Sequence, residues 1–405
     1  MMETLATVKP FRLPVGKTKR IASIDLLRGL IMVIMALDHT RGYFHSGVFV
    51  NDPTDLHKTT VILFFTRWIT HFCAPVFMLL AGISAFISGQ KKTKKELSLF
   101  LLLRGGWLIF LGLTFLNFAW YFDIHFSYIN LQVIWALGVC MLFLSGLIYL
   151  PGKTIAVIGF ILIAGHNLLD NFHVPGNSPA AFAWSVLHEK GRFTFYNTTI
   201  NVMYPVIPWI GLMALGYCLG EIYNSRFGAE RRKRMLISLG LASIVLFILL
   251  RYINGYGDLL PWATQSSPVF SFLSFINVTK YPPSLDYLLI TIGPALIFLA
   301  IAENASSRFT KIISTYGRVP MFYYLVHIYV IHLLAIPAVL FLGYRWTDMI
   351  FNQSIHFVPQ LKDYGFSIGI VYGIWIAIVA SLYPLCKWYD RYKTNHKEKW
   401  WLSYL

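Results

Sequence analysis

The densest chemistry in the chain lies in its first apolar stretch, where Asp25, Arg28, Asp38, His39 and Arg41 interrupt a segment that otherwise reads as a membrane helix. An ionisable side chain inside a span is costly unless it is paired or lines a wet cavity. Asp25 and Arg28 are three apart, neighbours on one helical face and able to pair. Arg28 and His39 are eleven apart, three turns plus about 20°, so both face the same way about 16 Å apart along the axis. A guanidinium at one depth and an imidazole further along suit a long anionic ligand lying on that face, its reactive end at the histidine. The imidazole would be base or nucleophile. The structural alternative makes Asp25 and Arg28 a buried pair and His39 an interfacial helix end. Asp38 and His45, seven apart, align if the helix continues through Gly42.

Other intramembrane candidates are sparser. Arg67 and His71 are spaced i, i+4, and Pro75 should kink their helix. Arg104 follows a basic loop and should snorkel to an interface. Tyr324 and His327 share a face and are expected to line a cavity, whereas His332 is turned to another surface. His166 and Asn167 end an apolar segment and read first as a cap or loop contact. Tyr204-Pro-Val-Ile-Pro208-Trp209 gives a rigid, irregular helix start, which lipid tolerates only where it faces protein or a cavity. Lys280, in Thr279-Lys280-Tyr281-Pro282-Pro283-Ser284, is a single cation in a stiff turn and could sit over an anionic or carbonyl group of a substrate.

These residues need long apolar helices to hold them, and the composition supplies them. Of 405 residues 57% are hydrophobic and 13% charged, against about 25% charged in soluble domains, which excludes an ordinary soluble enzyme. The formal charge of +16 would suggest nucleic acid in a soluble chain, but the cations cluster at segment ends, so no nucleic-acid partner is expected. The four cysteines lie singly in apolar segments, with neither disulfide nor zinc spacing, and no metal is expected. No cleavable signal peptide is apparent.

Apolar stretches at 24–44, 61–88, 98–119, 130–149, 154–169, 203–222, 235–253, 285–302, 319–341 and 365–386 predict an all-α polytopic transmembrane bundle of about ten spans, or eleven. Interfacial pieces are expected at 181–188 and 261–275. Most Lys and Arg residues fall in alternate connections and both tails, which places the N- and C-termini in the cytoplasm. The organisation is a basic tail at 1–20, one membrane domain at 21–390 and a basic, aromatic tail at 391–405. The oligomeric state, including a homo-oligomer, is open.

Ser23-Ile-Asp25-Leu-Leu-Arg28-Gly29 followed by His39 resembles the first span of integral-membrane acyltransferases, the superfamily of the acyltransferase-3 proteins and the heparan-alpha-glucosaminide N-acetyltransferase family. Tyr204–Gly211, Lys280–Ser284 and Gly317-Arg-Val-Pro-Met-Phe-Tyr-Tyr-Leu-Val-His327 resemble the bacterial branch beside the heparan enzyme, so the likeness runs from about Arg20 to Tyr389. The resemblance implies transfer of an acetyl or other acyl group from cytoplasmic acyl-CoA to a sugar hydroxyl or amine across a bacterial inner membrane. Arg28 matches the arginine that helps hold CoA, and the CoA phosphates would dock at the basic face with Arg104; Asp25, Tyr324 and His327 are grouped with this donor site. His39 matches the catalytic histidine of acyltransferase-3 proteins. The heparan enzyme carries asparagine there and its histidine in the following loop, where His45 is the nearest match, so the choice between His39 and His45 stays open, with Asp38 as the supporting carboxylate. Lys280, Tyr204, Trp209 and His71 are expected around the acceptor. The rivals are a secondary transporter, which broken helices and buried charges also fit, and a b-type haem protein.

Overall fold

The computed structural model describes residues 21–224, 226–355 and 357–403; the basic tail 1–20 lies outside them. The helices, in chain order, are α1 (Ala22–Phe44), α2 (Val61–Gly89), α3 (Lys94–Tyr121), α4 (Val133–Leu147), α5 (Gly152–Leu169), α6 (Pro179–Leu187), α7 (Ile207–Tyr223), α8 (Ala229–Ile253), α9 (Pro268–Ile276), α10 (Leu285–Asn304), α11 (Arg308–Arg318), α12 (Pro320–Phe341) and α13 (Ile368–Asn395). Among the described residues seven of these, α2, α3, α5, α8, α10, α12 and α13, are long and apolar enough to cross a membrane. Helices α4 and α7 are apolar but shorter, and α1 carries four charged residues, Asp25, Arg28, Asp38 and Arg41. Only 22% of the apolar window of α8 is buried, so hydrocarbon is the natural surrounding for the rest. The protein is an integral membrane protein.

The fold is not all-α. Tyr128–Leu131 (β1), Gly191–Phe195 (β2) and Thr198–Val202 (β3) form a sheet of order β1-β3-β2, β3 parallel to β1 and antiparallel to β2. The span expected from residue 130 therefore begins at Val133, because residues 128–131 spend their backbone bonds on β3. The short helices α6 and α9 overlap the stretches 181–188 and 261–275 expected to be interfacial. Helix α11, of 11 residues, was not foreseen: at about 1.5 Å per residue it is too short to span, and it carries apolar residues on one face only.

Helix α1 is central, packed against α2, α11, α12 and α13. Its approach to α11 is set by two glycines: a Cβ on Gly29 would lie 2.0 Å from the Ile313 carbonyl oxygen, and one on Gly317 would lie 1.9 Å from that of Asp25. Backbone touches backbone there, which no larger residue permits. Helix α2 is broken where Pro75 was expected to kink it, by a 3-10 turn at Ile69–Phe72. Proline cannot donate to the carbonyl four residues back; that carbonyl, of His71, accepts from the Tyr287 hydroxyl at 2.7 Å.

The long connection before α10 is also pinned by polar groups. Buried Arg251 donates to the carbonyls of Phe275, Leu260, Ser274 and Asn277. Asp258 accepts from the Thr279 amide at 2.8 Å and hydroxyl at 2.7 Å, and from the Ser284 hydroxyl. Lys280 is thus held between two clamped residues.

Candidate active site

Two cavities flank α1. The first, of about 360 Å³, lies toward its C-terminal end and is lined by Asp38, His39, Arg41, Arg67, Lys280 and Tyr281, with Trp120, Tyr204, Asn130 and Asn201 among the remaining walls. The second, of about 250 Å³, lies toward its N-terminal end, where Arg28, Ser84, Arg104, Arg318 and Lys393 surround an otherwise apolar lining. Phe77, Val133 and Tyr324 belong to both walls, so the cavities adjoin. The His39 ring lies edge-on to Tyr324, centroids 5.8 Å apart, and edge-on to Trp120 at 4.8 Å.

His39 Nδ1 is 2.8 Å from His327 Nε2, and His327 Nδ1 is 2.7 Å from the Tyr323 carbonyl oxygen. A carbonyl only accepts, so in the neutral ring His327 carries its proton on Nδ1 and its Nε2 is bare. His39 must then donate from Nδ1. The network therefore assigns His39 the tautomer whose Nε2 has no proton, the state a general base requires. His327 itself lines neither cavity.

Asp38 does not serve His45. Its two oxygens accept from Arg41 at 2.9 Å and from Arg67 at 2.6 Å, and Arg67 also donates to the Thr70 hydroxyl at 3.1 Å. Helix α1 ends at Phe44, and His45 turns into extended backbone, bridged to Phe366 and lining neither cavity. The helical alignment of Asp38 with His45 is lost at that turn. His71, expected at the acceptor, is buried edge-on to Tyr287, 5.5 Å between centroids, at the break in α2 rather than on a cavity wall. Trp209 likewise packs behind Tyr204, 5.8 Å away, and lines neither cavity.

At the other end, Arg28 donates to the Ser84 hydroxyl at 3.0 Å and the Gly317 carbonyl at 3.2 Å, with Asp25 at 3.4 Å. Asp25 stands behind the arginine rather than on the wall. Lys280 Nζ lies 5.3 Å from the centre of the Tyr281 ring, and the Tyr281 and Tyr204 hydroxyls are 3.4 Å apart. Burial alone would push the Tyr281 phenol up; the charges of Lys280 and Arg67 beside it hold it below the ordinary phenol range.

Several lining residues escaped the sequence reading. Asn130 of β1 and Asn201 of β3 stand opposite each other in register, side chains bonded at 2.9 Å, so the sheet brings two amides to the first cavity. The alternation in Thr198-Thr-Ile-Asn201-Val was the available signal. Arg41, Arg67 and Asp38 are all visible as intramembrane charges, but the pairing of Asp38 with Arg67 is not, because 29 residues separate them.

A family model described as heparan-alpha-glucosaminide N-acetyltransferase, catalytic, matches residues 20–253, more than half the chain. The chain belongs to that family. Membership implies an acyltransferase embedded in a membrane. The match includes Arg28, Asp38, His39, Arg67 and Arg104 and stops before Lys280, Tyr324 and His327, so both cavities are completed by residues beyond it. Among curated proteins none matches the chain.

Proposed function

We propose that the protein moves an acetyl group from acetyl-CoA, bound from the cytoplasm in the second cavity, to an amine or hydroxyl of a sugar held in the first cavity on the extracytoplasmic side. The observation that carries this reading is His39 on the wall of the first cavity, its Nδ1–H held by His327 and its ring edge-on to Tyr324, a wall that the two cavities share. The Arg28, Arg104, Arg318 and Lys393 cluster suits CoA phosphates, and the apolar lining beyond it suits a pantetheine arm. With ten spans and cytoplasmic termini, the basic connections and the basic cavity would share one face, in keeping with this direction.

In the proposed reaction the acceptor nitrogen or oxygen attacks the thioester carbonyl while His39 Nε2 takes its proton. The carbon–sulfur bond breaks, and the histidine returns the proton to the CoA thiolate. Lys280 and the Arg41–Asp38–Arg67 group supply positive charge for the oxyanion, and Asn130 and Asn201 offer hydrogen bonds to sugar hydroxyls. His45, away from both cavities, is the weaker candidate for the base.

The test is CoA release from acetyl-CoA by the full chain in proteoliposomes, with glucosamine on the opposite face as the first acceptor, alongside mass spectrometry of envelope glycans from cells with and without the gene. Acceptor-dependent CoA release with a mass gain of one acetyl group supports the proposal. Movement of labelled solute without covalent change would favour the transporter instead.

A further inference from the structure

Three side chains that line neither cavity converge at the ends of α5 and α6. His166 closes α5, Asp170 follows four residues later, and His188 stands directly after α6. One ligand atom from each lies within 4.8 Å of the other two. His188 Nε2 is 3.2 Å from Asp170 Oδ1. Both histidines are only 2% exposed. Neither ring nitrogen of His166 makes a hydrogen bond, although the Pro283 carbonyl lies near, and His188 Nδ1 makes none either. Leaving buried imidazole nitrogens without partners is costly, and three of them on two rings beside a carboxylate need an explanation.

The carboxylate is also oriented from behind. Asn167 donates to Asp170 Oδ2 at 2.8 Å while its own oxygen accepts from the Leu285 amide at 3.0 Å. A ligating carboxylate fixed by an outer hydrogen bond, which leaves its other oxygen toward the imidazoles, is the usual support of a metal site.

We propose that His166, Asp170 and His188 bind one divalent transition-metal ion of the zinc type. Two neutral imidazoles and one carboxylate are a borderline donor set suited to zinc, with water as the fourth ligand. Tetrahedral zinc places its donors about 3.4 Å apart, so donor atoms that lie within 4.8 Å of one another need close by about 1.4 Å at most. None of the three lines either cavity, so the ion would stand apart from the proposed acyl-transfer site. It would tie the end of α5 to the end of α6, two residues before the cavity-lining Lys190, and through Asn167 to the start of α10, just beyond Lys280. The expectation of no metal rested on close Cys/His spacing, whereas here His188 comes from 18 residues further along the chain than Asp170.

The experiment uses the full chain, purified in detergent, stripped with a chelator and titrated with zinc against a chromophoric competitor, then with cobalt for its visible spectrum. The expected result is one zinc per chain, a tetrahedral cobalt spectrum, and a melting temperature that falls on stripping and recovers with zinc. His188→Ala should lose the ion, while His173→Ala, at the exposed His173–Glu189 pair, should retain it. Should His188→Ala fail to fold, Asp170→Asn keeps the side chain's shape and should weaken zinc at least tenfold. Zinc binding that is absent, or unchanged in Asp170→Asn and His188→Ala, would overturn the proposal.

Discussion

The two cavities share Phe77, Val133 and Tyr324 as walls but hold their charges differently. In the first, Asp38 divides its carboxylate between Arg41 and Arg67, and Asp52 also stands on the wall. In the second, among the described residues, no acid faces the space: Asp25 and Asp390 sit behind Arg28 and Arg318, and the lining keeps the cations. A mixed, mutually bonded set fixes geometry at modest net field, which suits a neutral base and an uncharged acceptor. A cationic mouth on an apolar throat suits a phosphate-bearing ligand with a thin arm. In the proposed reaction, chemistry falls to one end of α1 and donor capture to the other.

The largest expected effect is at His39. His39→Ala should lower kcat by about 10²–10⁴, the usual contribution of a positioned base, while the affinity for acetyl-CoA stays near that of the parent protein. His327→Ala removes only the positioning partner and should cost less. His327→Gln, whose side-chain oxygen can still accept from His39 Nδ1, should recover part of the loss. CoA release and equilibrium binding of the donor check both halves. Undiminished turnover in His39→Ala would move the base elsewhere and undo the contrast between the cavities.

Next in size is Arg28→Ala. Hydrogen bonds to charged groups contribute about 1.5–3 kcal/mol, so the dissociation constant for acetyl-CoA should rise about tenfold to a hundredfold with kcat little changed. Isothermal titration or a tritiated-donor binding assay measures it. An unchanged affinity would show that the cationic mouth is not the donor's dock.

A third test acts on packing. Gly317→Ala places a Cβ against the Asp25 carbonyl oxygen, where neither backbone can yield, and should cost about 1–3 kcal/mol with a lower melting temperature. Because Arg28 donates to the Gly317 carbonyl, donor affinity should weaken too. Gly106→Ala, where a Cβ meets nothing within 4 Å, should leave both unchanged.

The helical frame was legible in the sequence because membrane spans depend on local properties, length and apolarity. The α1 charges were legible for the same reason: they are anomalous where they stand. What the sequence hid depends on distant pairings. Residues 128–131 are apolar enough to extend α4, and only their bonds to β3 make them a strand. His327 was visible as a cavity candidate, but its bond to His39 spans 288 residues and turns it from a wall into a support. His45 carries the right side chain for the chemistry, and its place away from both cavities follows from where α1 stops, which Gly42 did not signal.

The smallest effect concerns the phenol at the rim of the first cavity. Tyr281 ionises below the ordinary phenol value of about 10 because Lys280 and Arg67 outweigh its burial. If the neutral hydroxyl holds the acceptor, raising the pH through that lowered value strips its proton, so activity should decline on the alkaline side sooner than an unperturbed tyrosine would allow. Tyr281→Phe should lose a fewfold in kcat/KM near neutrality and flatten that alkaline limb. Lys280→Met removes one of the stabilising charges and should move the limb to higher pH. Rate profiles of the two variants separate the cases: a limb that persists unmoved in both belongs to a different group, and the first cavity would then have no titrating phenol to set it apart from the second.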